Sequence, residues 1–126
     1  MRTLLAVLQI AVALGLLNVW LVRAGRRTAY RGGNAASLRE EFAAYGLPEW
    51  FMYIIGFLKV AAAVLLIAGL WVPVVVLPTA LLICALMLGA LAMHRNVGDP
   101  LRKSMPALLI LAASLAIALG TLNWSR

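Results

Sequence analysis

Lys59 has the strongest claim to chemistry in this chain, because it is an amine placed where a bilayer would leave it dry. Between Trp50 and Leu70 it is the one charged side chain, and from Val60 to Met93 no formal charge occurs at all. It stands nine residues past Trp50, about 13 Å into an apolar segment at about 1.5 Å per helical residue. Insertion scales set the cost of such a residue at about 2.5–3.5 kcal/mol. The lysine therefore either snorkels along its aliphatic stem to the nearer interface or faces a polar pocket inside a bundle. In the pocket its neighbours by depth are Asn18, Cys84 and Ser114. No carboxylate lies at that depth, so the amine is left to amides, carbonyls, solvent, or an anionic or carbonyl-bearing ligand.

Two further residues could move protons. His94 closes an apolar segment, either as a capping residue favoured by the helix dipole or as a proton-handling group near Glu49, Asp99 or the 37–46 segment. Lys59, His94 and Glu49 make up the candidate acid–base set. No metal centre is expected from one histidine and scattered carboxylates, and a single histidine cannot supply a bis-histidine haem site. The one cysteine, Cys84, can form no internal disulfide and reads as a small buried hydrophobe. Gln9 and Asn18 read as interhelical hydrogen-bonding residues. No nucleophile–base arrangement and no glycine-rich phosphate loop is visible.

The elements that must hold these residues are long apolar helices. A hydrocarbon core of about 30 Å needs about 20 apolar residues. Four segments meet that need: Leu4–Val22, Trp50–Leu70, Val74–Met93 and Met105–Leu122. The first follows Arg2 as a signal peptide would, but it lacks a small-x-small cleavage site, and an uncleaved first span is expected. The Trp71-Val72-Pro73 break makes the second and third spans antiparallel neighbours. Pro73, Pro78 and Pro106 fall at or near helix starts, where a missing N–H is least costly. Arg31-Gly32-Gly33-Asn34 reads as flexible loop. After it, Ser37 and Glu40 form a capping-box pattern, and Leu38, Phe42 and Tyr45 share one helical face. Gly46 then suits the position just past a helix end, and Pro48 prevents continuation. This short helix is expected along the interface.

Composition agrees. Of 126 residues, 65% are hydrophobic and 12% charged, against about 45–50% and about 25% in soluble domains. The reading is a single domain, residues 1–126: an all-α integral membrane four-helix bundle with a short interfacial helix between the first two spans. Small residues in the last two spans, such as Gly89, Ala113 and Gly120, permit close helix packing. The net charge of +7 does not point to nucleic acid, because the basic residues sit at helix ends and in two loops. Arg23, Arg26, Arg27, Arg31, Arg39, Arg95, Arg102 and Lys103 would share one side, Arg2 and Arg126 the other. The positive-inside rule then places the larger set in the cytoplasm and both termini outside a cell (plasma) membrane.

Taken together, Phe42-x-x-Tyr45-Gly46-Leu47-Pro48-x-Trp50, Gly56-x-x-Lys59, Leu65-Leu66, the helix end Met87 to His94, and Arg95-x-x-Gly98-Asp99-Pro100 resemble the DoxX-like family of small four-helix membrane proteins. The resemblance runs in order along nearly the whole chain. It implies a membrane location and a four-helix bundle, and members of the family are tied to membrane redox systems, including a quinone-linked thiosulfate-oxidising enzyme. The family position matching Lys59 is often a glutamate, so the charge here is reversed. The expected function is a membrane subunit or accessory factor of a redox system, in contact with a non-covalently held quinone and with a redox partner or a second copy of the chain. A stand-alone membrane enzyme acting on an apolar small molecule beside Lys59 is the alternative, and a non-catalytic assembly protein is the third reading.

Overall fold

The computed structural model describes residues 2–18, 38–96 and 98–124. Of these, 89% are helical and none lies in a strand. Helix α1 is Arg2–Leu17, α2 is Leu38–Ala44, α3 is Glu49–Ala68, α4 is Val76–Asn96 and α5 is Leu101–Trp124, with a 3-10 turn at Pro73–Val75. Helices α3 and α5, and α4 with its preceding 3-10 turn, are long and apolar enough to cross a membrane. The apolar part of α1, Thr3–Leu17, is shorter; at about 1.5 Å per residue it covers about 22 Å. The expected end of the first span at Val22, the loop at 31–34 and the Ser37 cap lie outside the described residues.

Each long helix packs on two others, in the ring order α1, α3, α4, α5 and back to α1. Among the described residues, the pairs across the diagonal, α1 with α4 and α3 with α5, show no close backbone approach. The cause is written in the spacing of the buried positions. On α4 they include Val76, Ala80, Ile83, Met87 and His94, a repeat of four and three residues that keeps one seam turned inward. On α1 the seam is Leu5, Gln9, Val12 and Leu16, and on α5 it includes Ser104, Ala107, Ser114 and Ala118. The core is small and aliphatic, built of residues such as Ala13, Ala63, Leu66, Ala80, Ile83 and Ile117. Small side chains let the helices approach where lipid gives no hydrophobic drive for association. The large exposed side chains, among them Leu4, Phe57, Val64, Leu88 and Leu119, are the surface such a bundle offers to lipid.

Gln9 ties the α1 seam to the far end of α3. Its Nε2 donates to the carbonyl oxygen of Leu66 at 3.0 Å, in a buried setting. That carbonyl needs a donor because α3 ends there: Leu70 N–H bonds to Ile67 and Gly69 N–H to Leu65. Gln9→Leu strips the bond and leaves a buried carbonyl bare, so an unfolding titration in mixed micelles should show a loss of about 1 kcal/mol.

Helix ends account for the differences from the sequence reading. The fourth long helix, α5, begins at Leu101 rather than Met105. Ser104 is therefore a buried first-turn residue, and Pro106 lies inside the helix. The link from α4 is tight enough for α5 to start at once after Pro100, whose carbonyl accepts Lys103 N–H at 3.0 Å. The short helix α2 forms where expected and packs on α3. Phe42 is buried with Met52, against Leu47, Phe51 and Ile55.

Candidate functional site

The buried positions of α3 are Met52, Gly56, Ala62, Ala63 and Leu66. Met52, Gly56, Ala63 and Leu66 follow the four-and-three spacing only if position 59 completes the series. Lys59 thus occupies the middle of the inward seam, half-buried, ten residues past the start of the helix. A side chain on that stripe faces the bundle and not the lipid. Its Cα is therefore near mid-depth, about 15 Å from the helix start.

The other expected pocket residues lie on or beside the other long helices. Ser114 belongs to the inward seam of α5, on the diagonal from α3, and is fully buried; its Oγ has no hydrogen-bond partner among the described residues. Cys84 is a buried free thiol on α4, a flanking helix. Asn18 follows α1 and is exposed. The Gln9–Leu66 bond sets the antiparallel register of α1 against α3, which puts Asn18 within about one turn of the depth of Lys59. Glu49 is exposed at the first turn of α3 and accepts a hydrogen bond from Tyr53 Oη at 3.3 Å.

A second cluster forms where α4 stops. Gly98 has φ +71°, a conformation that costs an L residue about 1–2 kcal/mol. It lets Gly98 N–H reach the Arg95 carbonyl at 3.1 Å and Asp99 N–H reach the His94 carbonyl at 3.0 Å. These two bonds together are the Schellman stop. The turn returns Asp99 to the level of His94, and Oδ2 lies 2.7 Å from Nδ1. Both side chains are nearly sealed, at 7% exposure for His94 and 4% for Asp99. Lys103, one turn into α5, brings Nζ to 3.8 Å from Oδ1. The His94 ring also meets the ring of Tyr45 edge-on, centroids 5.9 Å apart.

Tyr45 arrives there through the same device. Gly46 has φ +76°; its N–H bonds to the Ala43 carbonyl and Leu47 N–H to the Phe42 carbonyl. The α2 stop is closed by an apolar contact, Leu47 on Phe42, and the α4 stop by a charged one, Asp99 on His94. In each a proline follows and prevents the helix from continuing. Gly-Leu-Pro and Gly-Asp-Pro are one structural sentence with two closing contacts.

Chemically, the carboxylate holds the imidazole in one orientation. With neutral His94, an Nδ1–H donated to Asp99 leaves Nε2 with its lone pair, the arrangement of a proton acceptor. With charged His94, the same contact is an ion pair. Gly98→Ala introduces no clash, since nothing lies within 4 Å of a Cβ there. Its cost is conformational, about 1 kcal/mol in thermal unfolding. It should also loosen the pairing, visible as a shift of the imidazole nitrogens of the chain's one histidine.

The sequence reading named Asp99 among three possible neighbours of His94 and assigned no such part to Lys103. The available signal was glycine at the position past a helix end, followed by Asp-Pro. A model of the DoxX-like family matches residues 28–118 of the chain. Comparison with characterised proteins and with solved structures finds no match.

Proposed function

The chain belongs to the DoxX-like family, and on that footing we propose that it is a small membrane subunit or accessory protein of a redox system that takes a quinone against Lys59. One observation carries this reading: the lysine fills the central position of the inward seam of α3. A quinone is apolar enough to enter from the bilayer and presents carbonyl oxygens. The Lys59 ammonium would donate a hydrogen bond to one of them, favouring negative charge on that oxygen and offering a proton. Electrons come from a redox partner of the assembly.

A photoreactive short-chain quinone, activated in nanodiscs that contain the protein, tests the reading. Adducts should concentrate on Lys59 and on its inward-seam neighbours Gly56 and Ala63. Equal labelling of lipid-facing Phe57 and Leu65 would sink it. The second reading, a stand-alone enzyme, is favoured by the oriented imidazole of His94 and requires turnover by the purified chain.

The proposal includes one domain of four spans in the plasma membrane, both termini outside, with Arg95, Arg102 and Lys103 in the cytoplasm. Single cysteines placed at the N-terminal tail and beside Gly98, in a Cys84→Ala background, should react with an impermeant maleimide in intact cells only at the tail. A labelled loop with a protected tail would invert the topology.

A further inference from the structure

Between the end of α4 and the start of α5 lies an open recess of about 390 Å³. Leu91, Leu101 and Leu108 form its apolar walls, and Arg95, Asp99 and Ser104 its polar ones. Leu108 is seven residues into α5, so the apolar wall descends about 10 Å below the helix start. The recess thus runs from the level where the helices leave the bilayer down into the acyl region.

Its polar groups are unequally engaged. Asp99 is matched by His94 and Lys103. Arg95 stands exposed beside it, basic and in the last turn of α4. Ser104 is 8% exposed, lines the recess, and makes no hydrogen bond to a described residue. A guanidinium and a hydroxyl over a leucine-lined slot match a phosphate that carries an acyl chain. We propose that this recess binds an anionic phospholipid, with its phosphate on Arg95 and Ser104 Oγ and one chain along Leu91 and Leu108. The paired state of Asp99 is what makes the site compatible with an anion.

The test uses the full chain in nanodiscs of phosphatidylcholine with 20% phosphatidylglycerol. After extraction into mild detergent, retained lipid is counted by mass spectrometry. Wild-type protein should retain phosphatidylglycerol in preference to phosphatidylcholine. Removing one surface charge lowers anionic-lipid attraction about fivefold. Arg102→Gln, an exposed residue outside the recess, should show no more than that. Arg95→Gln should lose clearly more. Ser104→Ala alters no charge and should also reduce retention, which decides the matter if Arg95→Gln does not fold. Equal losses in the two arginine variants, an unchanged Ser104→Ala, or no phosphatidylglycerol preference in the wild type would each overturn the proposal.

Discussion

Lys59→Met should yield a bundle that is more stable than the natural protein and that has lost the quinone-linked activity proposed for it. The stability gain follows from position. Position 59 lies on the inward seam of α3 near mid-depth, where a lysine costs about 2.5–3.5 kcal/mol relative to an apolar residue. A half-buried group recovers part of that cost by its contacts, so a gain of about 1 kcal/mol is expected. Methionine keeps most of the stem volume and packs adaptably, so the core does not collapse into a gap. The loss follows from chemistry. A thioether cannot donate to a carbonyl or supply a proton, and such assistance is worth about 10²-fold or more in rate. Thermal unfolding and quinone-linked electron transfer by the reconstituted assembly would be measured on one preparation. Natural activity in this variant would remove Lys59 from any mechanism. A drop in stability would show that the amine is held by strong partners and has a structural role.

Asp99→Ala carries the largest expected structural effect. Deleting the carboxylate leaves Nδ1 of His94 and Nζ of Lys103 without the acceptor they share. Breaking a buried pair by removing one member costs about 3–5 kcal/mol. The lower end applies, because Lys103 keeps partial access to water. Asp99→Asn retains an acceptor oxygen of the same shape and should lose about half as much. Denaturant titrations of both variants against the wild type give the comparison. Equal losses for alanine and asparagine would mean that the shape of the side chain contributes nothing and that the carboxylate charge alone carries the contact.

How far the sequence carries depends on whether a feature is periodic. Apolar segments of about bilayer length announce α3, α4 and α5 by composition alone. The short α2 is announced by Gly46 and Pro48 together with one apolar face. Lys59 could be placed in depth by counting, and its inward face follows once Met52, Gly56, Ala63 and Leu66 are seen to be buried. The His94–Asp99 pair is another matter. Residues five apart do not share a helix face, so no periodic pattern joins them; the left-handed turn at Gly98 does. For the same reason the start of α5 was misplaced. Pro106 looks like a first-turn residue, and only the compact stop before Pro100 shows that the helix has already begun. Gln9 was expected to bond between helices, but its acceptor is a main-chain carbonyl exposed by the end of α3, which side-chain types do not reveal.

The ring order also says something about biogenesis. Leaving aside the short α2, three of the four contacts in the ring join long helices consecutive in the chain: α1 with α3, α3 with α4 and α4 with α5. During synthesis each long helix can meet its partner already in the bilayer, so those contacts form in chain order. The fourth contact, α5 on α1, joins the two extremes of the chain and must wait for the last helix. It closes where Gly120, lacking a Cβ, lets Leu5 lie against the backbone of α5. A ribosome stalled before Gly120 would leave an open arc of helices, with Leu5 of α1 facing lipid where α5 later covers it.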